Sequence, residues 1–108
     1  MIFKYQVLPG KNGIIMSKDA KILHVREQRD SVCIWALVGG TDEVEERTFY
    51  VFGTGHEFSV DSWKLDYLGT AHLLNGALIW HVFELKSVYD ETRNQIQDDS
   101  SKGSTTST

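Results

Sequence analysis

Apolar and polar positions along this chain follow the two-residue period of extended strands, and no stretch keeps the three-to-four spacing of an amphipathic helix. Ile2 to Leu8 mixes β-branched and aromatic residues with Lys4 and Gln6 on one parity. Pro9-Gly10 stops it, which predicts a first strand and a turn. Lys11 to Ser17 holds Ile14, Ile15 and Met16 as a short apolar plug between loops. From Lys21 to Gln28 the alternation is clear, with Leu23 and Val25 on one face and Ile22, His24 and Arg26 on the other. Arg29-Asp30-Ser31 is turn material, and Val32 to Val38 returns as the second strand of a hairpin.

Gly39-Gly40-Thr41-Asp42 breaks the chain, and the acidic run Glu43 to Glu46 leads into a strand over Arg47 to Phe52. That strand ends at Gly53-Thr54-Gly55-His56. Phe58 and Val60 suggest a brief extended piece, and Asp61-Ser62 could cap a single helical turn over Trp63. Leu65 to Leu74 reads as a strand with a bulge at Gly69. Asn75-Gly76 then offers the two residues that best tolerate the positive φ of a type I′ turn, so Leu78 to Leu85 should fold back as the last strand. The expected fold is mainly β, a small antiparallel β-sandwich or partly open barrel of about six strands.

Residues 1–86 form the single β domain in this reading. Residues 87–108 are read as a flexible polar tail, because from Asp90 onward only Ile96 is apolar and such a stretch cannot offset its ordering entropy. A domain this small buries only roughly 60–65% of its unfolded surface. Yet Cys33 to Val38, Phe49 to Phe52 and Leu78 to Phe83 are apolar on both parities, where a sheet with one wet face would alternate. The surplus is expected to meet a ligand or another chain, which predicts a homo-oligomer, a dimer or a dimer of dimers. The competing reading is a closed barrel with its own N-terminal segment wrapped over one face.

Charge narrows the partners. The net charge is −4 and the eleven basic residues are scattered, so the clustered Lys and Arg that duplex nucleic acid requires are missing. No apolar run approaches the roughly 20 residues of a membrane span, and no signal peptide is evident, so a soluble protein is expected. The one cysteine, Cys33, lies in an apolar run and reads as a core residue.

Candidate chemistry centres on a repeated pattern: Gly53-Thr54-Gly55-His56, then Gly69-Thr70-Ala71-His72. A Gly-Thr pair at a turn offers backbone amides and a hydroxyl to a phosphate or carboxylate, and histidine adds a donor. The same glycines could equally serve only to end strands and form bulges. Trp35, Trp80 and Tyr50 could stack on a planar base or pack in the core. Arg26 and Arg47, held on strands, could grip a phosphate or pair with the nearby glutamates. The candidate ligand-binding set is Arg26, Trp35, Arg47, Tyr50, Gly53, Thr54, Gly55, His56, Thr70, His72 and Trp80.

The four histidines, His24, His56, His72 and His81, have no zinc-type spacing, and there is no cysteine pair. No metal or cofactor is expected. His24 and His81, both mid-strand, read as hydrogen-bonded structural residues. No serine lies in a nucleophile elbow, and the carboxylate run Glu43-Glu45-Glu46 reads as a charge guard on an edge strand. The protein is therefore expected not to be an enzyme.

Several segments together resemble a group of small bacteriophage-encoded proteins that long carried a domain-of-unknown-function label. These are Lys21-Ile22-Leu23-His24-Val25, Trp35-Ala36-Leu37-Val38, Phe52-Gly53-Thr54-Gly55-His56, Tyr67-Leu68-Gly69-Thr70 and Gly76-Ala77-Leu78-Ile79-Trp80-His81-Val82-Phe83-Glu84. The group is similar to viral sponge proteins that sequester the nucleotide second messengers of bacterial immunity, notably the cyclic dinucleotides of CBASS systems. The resemblance implies a non-catalytic anti-defence protein, oligomeric, in the cytoplasm of the infected bacterial host, with a nucleotide second messenger as its partner. A protein-binding inhibitor or assembly module remains the alternative, and a small nucleotide hydrolase using His56 and His72 is a third reading.

Overall fold

The computed structural model describes residues 1–89. Seven strands form two antiparallel sheets packed face to face, with no closed barrel. The strands are β1 (Ile2–Val7), β2 (Gly10–Ser17), β3 (Lys21–Gln28), β4 (Ser31–Leu37), β5 (Val44–Gly53), β6 (Leu65–Leu73) and β7 (Leu78–Leu85). One sheet runs β1-β4-β3 and the other β2-β5-β7-β6. Of the expected sandwich or partly open barrel, the mainly β class holds, and it takes the form of two antiparallel sheets. The expected count of six strands leaves out β2, because Gly10 and Gly13 interrupt its alternation. The plug at Ile14 to Met16 is instead a strand paired along its whole length with β5.

Turn chemistry sets both hairpins. Arg29 and Asp30 both have positive φ, the requirement of a two-residue turn, and Gln28 pairs with Ser31 directly across it. At the other hairpin Asn75 (φ 55°, ψ 33°) and Gly76 (φ 91°) occupy the central positions of a left-handed turn, closed by the Ala77 N–H donating to the Leu74 carbonyl at 3.1 Å. Leu74 is also left-handed (φ 51°), so strand pairing stops one residue sooner, at Leu73 and Leu78.

Two bulges adjust the register. The one in β6 falls between Tyr67 and Gly69, where the sequence placed it. The one in β3 falls between Ile22 and His24 and overturns the expected alternation there. Leu23 is turned out to solvent, while Ile22 packs on the core with Val25. Asp61-Ser62 does lead a 3₁₀ turn over Ser62–Lys64, without a side-chain cap, and the stretch around Phe58 and Val60 is loop rather than strand.

The main core lies between the sheets and contains Val25, Ile34 and Ala36 from one and Phe49, Val51, Ala71 and Val82 from the other. Cys33 is buried, as expected. Gly69 marks a close approach of β6 to β3. A Cβ there would sit 2.8 Å from Cβ of Val25, so only glycine lets β6 and β3 come this close.

A second, smaller cluster explains much of the two-sided apolar pattern. Tyr50, Phe52, Leu65 and Leu85, with Val60 and Phe83 against them, cover the outer face of the four-stranded sheet. Phe58 stacks on Phe52 with ring centroids 4.2 Å apart. The loop between β5 and β6, rather than an N-terminal segment, therefore covers the outer face of β5. Of the acidic run, Glu45 and Glu46 pair with Met16 and Ile15 of β2, while the pairing of β5 with β7 begins only at Phe49, so among the described strands the acidic end of β5 is laddered on one side only. The expected boundary at Lys86 falls just before a further 3₁₀ turn, Ser87–Tyr89, whose Tyr89 ring meets Trp63 edge-on at 5.3 Å. Residues 90–108 of the expected tail lie outside the described residues.

Candidate functional site

Four of the sequence-predicted residues meet in one cleft. Where β5 runs into the Gly53-Thr54-Gly55-His56 turn, Gly53, Thr54 and His56 face Ala77 to Trp80 at the start of β7, enclosing about 190 Å³. Strand register builds the cleft: Gly53 is paired with Trp80, so the bare glycine backbone leaves room beside the indole. His56 folds back over that space, its N–H donating to the Gly53 carbonyl at 3.0 Å and its ring 6.0 Å from the Trp80 ring in an edge-on contact. Gly55 takes a φ of 87° at the turn. Among the described residues no Lys or Arg lines this cleft.

Thr54 links the cleft to the outer face of the sheet. Its Oγ1 lies 2.7 Å from Nε2 of His81. Nδ1 of the same ring lies 3.0 Å from Oγ1 of Thr70, and Thr70 Oγ1 is hydrogen-bonded in turn to the Tyr67 hydroxyl. Thr70 thus joins the same neighbourhood through His81. His81 was correctly read as a hydrogen-bonded mid-strand histidine, but its place at the centre of this chain was missed. The signal was available: counting outward from Asn75-Gly76 puts Thr70 opposite His81 and Ala71 opposite Trp80, the pairing observed.

The other predicted residues lie elsewhere. His72 is exposed and lines a separate groove of about 480 Å³ between the two hairpin tips, with Glu27 and Asp30 opposite. His56 and His72 therefore face different openings. Arg26 and Trp35 lie on the three-stranded sheet, beside a shallow groove that also includes Arg29. Tyr50 is buried, its ring stacked 5.7 Å from Phe52.

Arg47 is an interior residue. Its Nε and Nη2 donate to the two carboxylate oxygens of Glu84 at 2.6 and 2.8 Å, and Nη1 donates to the Ala20 carbonyl at 2.5 Å. The side chains are only 10% and 12% exposed. The Glu84 hydrogen bond raises the already high pKa of the guanidinium, with burial opposing it. Arg47 does pair with a glutamate, but with Glu84 across the sheet rather than with the neighbouring acidic run.

Among the described residues Asp19 is the other group with a shifted pKa. The Ser17 hydroxyl, which donates to it at 2.7 Å, lowers it, with the Gly39 N–H adding to the effect against a smaller cost of burial. Among the described residues no group of three or more His, Cys, Asp or Glu side chains is placed to hold a metal ion. No described helix is long and apolar enough to cross a membrane.

Fold and cleft together define a small two-sheet β domain with an aromatic cleft at one strand end. The chain belongs to the family described as a domain of unknown function (DUF7352), whose model matches residues 1–93. Neither curated proteins nor solved structures include a match to it.

Proposed function

We propose that this is a non-catalytic binding protein that sequesters a nucleotide-type small molecule, one of the nucleotide immune signals of bacteria. It would act as a phage anti-defence protein in the cytoplasm of the infected host. The observation that supports this best is the convergence of Gly53, Thr54, His56 and Trp80 on one cleft. An indole and an imidazole there can stack on a planar base, worth ~1–3 kcal/mol per base. The turn supplies the Thr54 hydroxyl for an oxygen, since the Thr54 and His56 N–H groups already donate to the Ile79 and Gly53 carbonyls.

The cleft is smaller than the roughly 300–1,000 Å³ of ordinary small-molecule sites, so it takes one ring rather than a whole dinucleotide. With Arg47 committed to Glu84, further charge and coverage would come from a second copy of the chain. Arg26, exposed and in no ion pair with a described residue, is the basic residue such a partner could contribute. A homo-oligomer, dimer or dimer of dimers, is part of this reading.

The test is native mass spectrometry of the purified protein, alone and with a panel of cyclic and linear nucleotides. The expected result is an oligomer retaining intact nucleotide at fixed stoichiometry. Trp80→Ala should weaken that complex about tenfold or more. An oligomer that stays empty across the panel, or a ligand returned as product, overturns the reading.

A second reading has its own support. On β1, which pairs only with β4 among the described strands, Ile2 is 57% and Phe3 43% exposed. A free edge carrying apolar side chains suits a protein-binding inhibitor or an assembly module that adds a strand to it. Saturable capture of one purified host or phage polypeptide, lost when Phe3 is changed to Lys, would favour that function.

A further inference from the structure

Tyr67 and Thr70 on β6, His81 on β7 and Thr54 in the turn after β5 form one unbroken hydrogen-bonded chain along the outer face. It begins at Tyr67, 59% exposed, and ends at the rim of the cleft, since Thr54 also lines that opening. Nothing in the cleft's own lining explains why a threonine hydroxyl there should be tied to an imidazole.

The chemistry of the four groups gives the chain a direction. A neutral imidazole has one donor and one acceptor nitrogen, whereas each hydroxyl has a single hydrogen and can also accept. The phenol is the strongest donor among the hydroxyls and the poorest acceptor, because its lone pair is delocalised into the ring. With Tyr67 donating to Thr70, the Thr70 hydrogen goes to Nδ1 of His81. Nδ1 is then the acceptor nitrogen and Nε2 carries the ring hydrogen, which it donates to Thr54 Oγ1. The Thr54 hydroxyl has accepted from the protein side, so its own hydrogen is left for whatever occupies the cleft.

We propose that Tyr67, Thr70 and His81 are positioning residues that fix the Thr54 hydroxyl as a hydrogen-bond donor to the cleft, selecting ligands that present an acceptor oxygen there. Phosphate, carboxylate and carbonyl oxygens satisfy this condition, while an ammonium or amide N–H meets a hydroxyl already turned the wrong way. The assignment rests on the reading of the cleft as a ligand site, and deepens it. It shows how a cleft without lysine or arginine can still discriminate for oxygen.

The experiment is ¹⁵N NMR of the full-length, histidine-labelled protein without ligand, followed by titration with AMP. In the free protein His81 should be the Nε2–H tautomer, and Tyr67→Phe, which removes the terminal donor from an exposed position, should release it to a mixture. An Nδ1–H tautomer in the wild type, or identical tautomer populations in wild type and Tyr67→Phe, overturns the proposed direction whatever the ligand. In the titration, Thr54→Ser should keep wild-type affinity and Thr54→Val should lose about tenfold or more. Equal affinity of Thr54→Val and wild type overturns the donor role of Thr54. A wild type that fails to bind AMP counts against the cleft as a nucleotide site, while the tautomer result still decides the direction of the chain.

Discussion

Replacing Arg47 separates a structural arginine from a ligand-binding one. In Arg47→Met the stem is kept and the guanidinium removed. Glu84 then loses both of its Arg47 hydrogen bonds while only 12% exposed, and the Ala20 carbonyl loses its 2.5 Å donor. Breaking a buried pair by removing one partner costs about 3–5 kcal/mol, because the other charge stays buried without compensation. For a domain of this size, typical total stability is roughly 4–13 kcal/mol. The loss should lower Tm by more than about 12 °C. Urea titration followed by tryptophan fluorescence reads this directly as a fall in midpoint at unchanged slope. Arg47→Met combined with Glu84→Leu removes both charges and should regain most of the loss, since apolar replacement of a buried pair is often neutral or better. Wild-type stability in the single variant, accompanied by loss of nucleotide binding, would refute the argument and return Arg47 to the ligand set.

Gly69→Ala should destabilise the fold by about 1–3 kcal/mol, the usual effect of overfilling a packed site, because the new methyl would lie 2.8 Å from Cβ of Val25; an unchanged urea midpoint would contradict that close approach. Gly53→Ala should behave differently. Its new Cβ meets the exposed His56 ring at 2.7 Å, which can swing away, so stability should change by less than about 1 kcal/mol while the His56 resonances shift in NMR spectra. The lowered pKa of Asp19 has a definite sign: its contribution to stability is present above the unfolded value near 3.9 and is lost as pH falls through the lower folded value. Asp19→Asn should therefore flatten the acid side of the stability profile below about pH 4; an unaltered profile would show that the Ser17 and Gly39 contacts carry no such linkage.

Turns were the most legible part of this chain, because they depend on local residues. Asn75-Gly76 fixed the β6–β7 hairpin, and with it the placement of Thr70 opposite His81 and of Gly53, Thr54 and His56 beside Trp80 once β5 joined β7. Pattern failed where backbone irregularity breaks the two-residue period. Glycines hid β2, and the bulge at Leu23 exchanged the faces assigned to Ile22 and Leu23. The roles of Arg47 and Tyr50 were illegible for another reason. Whether a strand residue faces the interior depends on which sheet covers it, and both lie on a strand buried on its two faces. The partner of Arg47 is 37 positions away in sequence, beyond any local signal. The covering of β5 by Phe58 and Val60 likewise depends on a loop whose return path no periodicity records.

The order of the strands has a consequence for how this protein comes into being. β1 must wait for β4, pairing Ile2 with Leu37, while β2, lying between them in sequence, leaves for the other sheet and waits for β5, pairing Gly10 with Val51. The three-stranded sheet can close once the chain has passed residue 37, whereas the four-stranded sheet stays incomplete until β7 pairs with β6 out to Leu85. Such long-range closure slows assembly, and on a ribosome the N-terminal strands would emerge well before their partners. The β3–β4 hairpin, local and closed by its own two-residue turn, can form early and hold a place for β1.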